Sequence, residues 1–191
     1  IPTGLGLKLA VADRLVLHKV RDALGGRLVW AVSGAAPLNP MIAEFFHACG
    51  VTILEGIGMT ENTSFTNVNR VDDYRFGWVG PTGPGIEQKV AEDGEVLYRG
   101  RNVMKEYYKN PQATQETLFD GWLLTGDMAR FDEDGFIWLV DRKKDVIITG
   151  GENIFPVEIE DFLMENSNIQ DAAVIGIPDE RLGEITAAII K

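Results

Sequence analysis

Residues 28–61 read LVWAVSGAAPLNPMIAEFFHACGVTILEGIGMTE, and the order of elements in this stretch decides the fold class. Leu28 to Val32 is a short apolar run bounded by turn residues, the pattern of a buried strand. Asn39-Pro40 starts a helix, because Asn accepts from an orphan backbone N–H and Pro has the φ that the first helical position needs. That helix runs to about Cys49, and Gly50 ends it by taking a left-handed backbone at little cost. Val51 to Leu54 is the next strand. Upstream, Ala12, Leu15, Val16, Val20 and Ala23 recur at helical spacing within Ala10 to Leu24, which predicts one buried stripe ending at Gly25-Gly26. Helix, strand, helix, strand in this rhythm predicts a parallel α/β sheet.

Beyond about Thr66 the character changes. Asp93-Gly94, Asp120-Gly121 and Asp134-Gly135 punctuate short apolar segments at Glu87 to Val90, Glu95 to Tyr98, Trp122 to Thr125 and Phe136 to Val140. Asp-Gly between such segments is a hairpin signal, so a mostly antiparallel, barrel-like unit follows. From Asp141 a strand at Val146 to Thr149, a Gly150-Gly151 turn, a helix opened by Pro156 and strands at Ala172 to Ile177 and Ile185 to Ile190 are expected. The fold class is therefore α/β in a mixed α+β sense. The expected divisions are 1–75, the end of an α/β subdomain; 76–143, a β-rich subdomain; and 144–191, a small α+β C-terminal domain.

The 191 residues carry a net charge of −11, which argues against sequence-independent nucleic-acid binding and against adhesion to anionic membranes. One cysteine, Cys49, excludes an internal disulfide and a multi-thiolate metal site, and points to a reducing, cytoplasmic compartment. No apolar run approaches the roughly 20 residues that cross a bilayer. The chain begins at Ile1 and ends on Ile189-Ile190-Lys191, which reads as an interrupted strand, so both ends are expected to have been cut from something longer.

Four segments are suited to chemistry. Leu54 to Glu61 follows a strand; its glycines Gly56 and Gly58 admit close approach to the backbone, and Thr60 and Glu61 offer a hydroxyl and a carboxylate for a phosphate oxygen and Mg²⁺. Ser33 to Leu38 is a strand-to-helix loop of tiny residues, at the kind of sheet edge where α/β proteins bind ligands. Asp127, at the expected strand end in Thr125-Gly126-Asp127, can accept the two hydrogen bonds of a vicinal diol. Each of these three is, taken alone, also an ordinary turn. Asp141 to Glu160 is longer and ordered, with a charged turn, a strand, a double glycine and a Pro-started helix. It reads either as a solvated face or as an interdomain hinge. The dinucleotide, Walker and Gly-x-Ser-x-Gly patterns are absent.

In this order and at this spacing, the four segments resemble the adenylate-forming, acyl-activating superfamily of acyl-CoA synthetases, firefly luciferase and peptide-synthetase adenylation domains. The resemblance runs from Ala12 to Lys191. The stretch from Ala12-Asp13-Arg14-Leu15-Val16 through Leu24-Gly25-Gly26-Arg27 to Ser33-Gly34-Ala35-Ala36-Pro37-Leu38 is most similar to long-chain fatty acyl-CoA synthetases.

The resemblance implies a two-step ligase that uses a carboxylic acid, ATP and Mg²⁺, and then coenzyme A. It implies phosphate and Mg²⁺ contacts for Thr60 and Glu61, with Glu61 the metal ligand, and a nucleotide and acyl pocket lined by Gly34, Ala35, Ala36, Gly56, Ile57 and Gly58. It further implies ribose contacts for Asp127 and Arg142, a domain hinge at Lys144, and a pantetheine channel shaped by Gly150 and Gly151. Ile57 stands where the family usually has an aromatic residue, so it can cover a purine face without π-stacking. The family's Ser/Thr/Gly-rich phosphate loop and its C-terminal adenylation lysine are not in the sequence, which is therefore expected to be a segment of a larger synthetase, inactive by itself. The alternatives are a domain that loads a carrier protein and a nucleotide-binding module without catalysis.

Overall fold

The helix expected over Ala10 to Leu24 starts earlier and contains a π turn in the computed structural model, which describes residues 3–34, 36 and 38–191. Helix α1 (Thr3–Ala12) passes through π-helical Asp13–Leu17 into α2 (His18–Ala23). Its apolar stripe is not buried as the periodicity predicts: Leu15 is 60% and Val16 53% exposed, and both line an open groove with Val20, Leu24 and Phe46. Helical spacing gathers apolar residues on one face, but it supplies no partner. Phe46 of the following helix borders the groove, yet Leu15 and Val16 stay largely exposed.

Strand β1 (Trp30–Ser33), α3 (Pro40–Ala48) and β2 (Thr52–Met59) realise the predicted strand–helix–strand, and β1 and β2 are parallel, with Ser33 opposite Glu55. Asn39 Oδ1 accepts from Met41 N–H at 2.9 Å, the expected cap. Strand β2 does not stop at Leu54. It continues through Gly56 and Gly58 and pairs antiparallel with β3 (Ser64–Val68), a strand that the sequence pattern does not signal. The two glycines let β3 come close: a Cβ on Gly58 would lie 1.8 Å from Ser64 O, and one on Gly56 2.8 Å from Asn67 O. Thr63, in the short turn between the strands, and Ser64, the first residue of β3, both have positive φ. The sheet therefore has order β1-β2-β3 and is mixed rather than purely parallel.

A second sheet contains β4 (Ile86–Val90) and β5 (Glu95–Gly100); after α4 (Pro111–Thr117) come β6 (Leu118–Phe119), β7 (Trp122–Phe131) and β8 (Ile137–Arg142). The order is β4-β5-β7-β6, with β8 also on β7. The Asp-Gly turns fall at the expected joints, and Val96, Tyr98, Leu123 and Ile137 are fully buried. Strand β7 runs well beyond Thr125, so Asp127 lies within a strand and not after one. A C-terminal antiparallel sheet of order β10-β9-β12-β11 combines β9 (Ile147–Thr149), β10 (Glu152–Ile154), β11 (Ala172–Asp179) and β12 (Gly183–Ile190). Helix α5 (Pro156–Met164) lies against β11, where Glu160 Oε1 accepts from Val174 N–H at 2.8 Å.

The architecture is mixed α/β: a parallel strand pair with helices, a curled antiparallel sheet, and a small sheet with its helix. Two compact units are present, one of Ile1–Ile86 with Asp132–Ile137 and one of Glu87–Phe131 with Trp138–Lys191. No helix among the described residues is long and apolar enough to cross a membrane.

Candidate functional site

In the first unit, the parallel register of Ser33 with Glu55 sets Gly34 beside Gly56. A Cβ on Gly34 would lie 2.8 Å from Gly56 O and 2.4 Å from the Phe65 ring, so strand packing alone already requires glycine there. Ala36 is exposed, whereas Ala35 falls outside the described residues. Ile57, expected to cover a purine face, is buried within β2. Thr60 and Glu61 share one 3₁₀ turn, Thr60–Asn62, immediately after β2. Asn62 Oδ1 closes that turn by accepting from Met59 N–H at 2.9 Å.

A hydroxyl and a carboxylate in one turn are hard oxygen donors that fit Mg²⁺, which keeps waters and substrate phosphates in its shell and needs only one or two protein carboxylates. Among the described residues no cluster of three or more His, Cys, Asp or Glu side chains could hold a metal without such outside ligands.

Glu55 was not singled out by the sequence. Its buried carboxylate accepts from Leu38 N–H at 3.3 Å and Gly77 N–H at 2.9 Å, pinning the end of the small-residue loop. Burial raises its pKa, against the pull of these two hydrogen bonds.

In the second unit, β5 and β7 pair out of step: Glu95 faces Met128 and Leu97 faces Leu124, so Thr125, Gly126 and Asp127 together oppose Val96. Such a bulge re-aims a side chain out of the regular ladder. Thr125 Oγ1 donates to Val96 O at 2.7 Å and accepts from Asp127 N–H at 3.0 Å. The bulge presents Asp127 to Arg142, whose Nη1 is 2.9 Å from Asp127 Oδ1. Burial raises the Asp127 pKa, Arg142 opposes that, and the Glu95 charge adds to it. Burial, and then the Asp127 charge, push the Tyr98 phenol far above its ordinary range.

Two further residues escaped the sequence. The Glu95 side chain is only 6% exposed; it accepts from Gly126 N–H at 2.8 Å and from Lys143 Nζ at 2.7 Å. Lys143 also donates from Nζ to Asp93 at 2.6 Å, and from its backbone N–H to Gly126 O at 2.8 Å. The Asp93 pairing, and then the Glu95 one, raise the Lys143 pKa, and Lys143 lowers that of Asp93.

Lys144 is largely exposed, at 80%, and borders a cavity of about 390 Å³ lined also by Asp141, Val157, Glu160 and Glu184. Gly150 and Gly151 form the exposed β9–β10 turn, with φ of 60° and 90°. Within its own unit, then, each of two groups comes together: Gly34 with Gly56, and Asp127 with Arg142.

A family model described as AMP-binding enzyme matches residues 2–108, more than half of the chain, and one described as AMP-binding enzyme C-terminal domain matches 158–191. A long-chain-fatty-acid–CoA ligase of Mycobacterium bovis is 44% identical over 173 residues, covering 90% of this chain and 29% of that protein. A long-chain-fatty-acid–CoA ligase of Salmonella typhimurium is 40% identical over 166 residues, 81% of this chain and 30% of that protein. Among solved structures, ATP-bound MatB from Rhodopseudomonas palustris superposes with a TM-score of 0.76 at 35% identity, covering 83% of this chain and 34% of that one. The o-succinylbenzoate coenzyme A synthetase from Bacillus subtilis, in complex with ATP and magnesium ion, gives 0.75 at 30% identity, covering 84% and 36%. The chain thus spans about 29% of the length of the first of these relatives.

Proposed function

Since the chain belongs to the AMP-binding enzyme family, we propose that it is a segment of an AMP-forming acid:CoA ligase whose substrate is a long-chain fatty acid. In the first step the carboxylate attacks the α-phosphorus of ATP, forming acyl-adenylate and releasing pyrophosphate. In the second the thiol of coenzyme A attacks the acyl carbonyl, and the thioester forms as AMP leaves with the electron pair of the broken C–O bond.

Asp127 accepts hydrogen bonds from the ribose hydroxyls, and Arg142 holds the carboxylate ionised and in place. Thr60 donates to a phosphate oxygen. Glu61 is the protein ligand of Mg²⁺, which when bound offsets the charge of the phosphates. Gly34, Ala35, Ala36, Gly56 and Gly58 let nucleotide and acyl group approach the backbone. Lys144 is the pivot between the two steps, and Gly150 and Gly151 border the pantetheine path. We retain the large-domain parts 1–75 and 76–143 on one side of this pivot and the small C-terminal domain 144–191 on the other.

The observation that carries this proposal is the Asp127–Arg142 pair on the β7 bulge: an acceptor suited to a diol, held beside a cation. The long-chain substrate is supported by the names of the relatives at 40–44% identity. The test is acid-dependent ATP–pyrophosphate exchange by the full-length protein, followed by detection of CoA thioesters across alkyl and aryl acids. Thioester formation that peaks with long alkyl chains is expected. Exchange without any CoA thioester would favour carrier-protein loading, and no exchange with any acid would overturn the proposal.

A further inference from the structure

On the reading of Asp127 as the ribose ligand, we infer that Glu95 and Lys143 are positioning residues: together they fix the Asp127 bulge and anchor the fixed side of the Lys144 hinge. Both backbone groups of Gly126 are engaged by this pair, the N–H by the Glu95 carboxylate and the C=O by the Lys143 N–H. Gly126 has a φ of 73°, which glycine adopts freely as one conformation among many, so these two bonds select the shape the bulge takes. Asp127 follows directly. Lys143 stands between Arg142, which touches Asp127, and Lys144. One ammonium group therefore ties β5, the β4–β5 turn at Asp93 and the backbone just before the pivot.

The ion pair is more than a surface contact. An exposed Lys–Asp93 pair alone would contribute little. Glu95 is nearly inaccessible, and removing Lys143 would leave a buried carboxylate with one backbone donor and no counter-charge. The charged groups acting on Asp127 are Arg142 from β8 and Glu95 from β5, while the buried Tyr98 phenol from β5 feels the Asp127 charge in turn. With Lys143 gone, the unbalanced Glu95 charge makes ionisation of Asp127 harder. With the Glu95 charge gone, it becomes easier.

The experiment measures ATP KM and kcat for exchange in the full-length protein, from about pH 4 to about pH 9, a range that begins near ordinary carboxylate titration and spans that of histidine. Lys143→Met is expected to raise the KM for ATP roughly tenfold, the scale of one charged hydrogen bond, with a smaller change in kcat. Its acid limb should move to higher pH. Lys143→Arg, which can bridge the same carboxylates, should restore both. Glu95→Gln keeps an acceptor for Gly126 N–H while losing the charge, and its acid limb should move to lower pH.

A folded Lys143→Met with wild-type KM and acid limb overturns the inference. So does a fall in melting temperature alone, since a merely structural role would move nothing else. Should Lys143→Met fail to fold, an unshifted acid limb in Glu95→Gln overturns it instead. Two controls isolate the underlying reading: absence of exchange in the wild type, or an unchanged KM for ATP in Asp127→Asn, removes Asp127 from the ribose site and the inference with it.

Discussion

Arg142 reaches from the end of β8 to the bulge of β7, its Nη1 2.9 Å from Asp127 Oδ1, and the two partners differ sharply in exposure: 57% for the arginine side chain and 16% for the aspartate. The carboxylate is fixed within the sheet, while the guanidinium comes to it from solvent. A group arranged this way is an acceptor held in register, with a cation offsetting the cost of its burial.

Asp127→Ala in the full-length protein should lower kcat/KM for ATP by roughly 10- to 150-fold, the equivalent of losing about 1.5–3 kcal/mol of charged hydrogen bonding. Exchange kinetics at varied ATP measure it. An unchanged value in a folded variant would remove Asp127 from the ribose site.

Lys144→Pro should separate the two steps. Proline fixes φ and restricts the residue before it, whereas rotation about a hinge needs a few backbone dihedrals to change widely. Asp141 Oδ2 accepts from Val157 N–H at 3.3 Å, a bond across Lys144 that rotation would have to break. With the adenylating orientation trapped, exchange should persist while thioester formation falls steeply. Lys144→Ala, which keeps backbone freedom, should retain both. Equal loss of both steps in Lys144→Pro, or loss of neither, contradicts a pivot at this residue.

Gly58→Ala should destabilise the fold by about 3 kcal/mol, because the added Cβ meets backbone rather than a side chain that can turn away. The obstructing atom is Ser64 O, 1.8 Å from the ideal Cβ position. Urea unfolding of the full-length protein gives the number. A variant as stable as the wild type would mean that β2 and β3 can separate freely.

Glu55 makes stability depend on pH in the direction opposite to that of a salt-bridged carboxylate. Its pKa is raised in the folded state, chiefly by burial. Its contribution is therefore fully present below the unfolded pKa and is lost as pH rises through the folded value. Relative to Glu55→Gln, the wild type should lose stability margin on going from acid to neutral pH. Parallel melting curves of the two proteins test this, and a margin that grows with pH would contradict it.

The 191-residue chain alone should give no acid-dependent exchange, since neither a Ser/Thr/Gly-rich phosphate loop nor the family's adenylation lysine is within it. Robust exchange by the purified chain would refute this and would place the missing functions on residues described here.

Local chemistry was legible without coordinates. Asn39-Pro40 and Asn110-Pro111 begin helices because an Asn side chain caps and a Pro sets φ, and both Asn side chains accept from helix N–H groups as expected. Asp93-Gly94, Asp120-Gly121 and Asp134-Gly135 turn the chain because glycine tolerates positive φ, at 91°, 77° and 82°. The motif order from Gly34 to Gly151 was enough to indicate the family. The remainder depends on which distant backbones meet. Nothing near Gly58 announces that β3 will lie against it. The spacing of Ala10 to Leu24 describes a face and not what covers it. Glu95 is 31 residues from Gly126 and 48 from Lys143, so the bonds that shape the Asp127 bulge join residues with no sequence relation. Dihedral preferences act within a few residues and can be read there, whereas packing and the pairing of buried charges are settled only when the sheet closes.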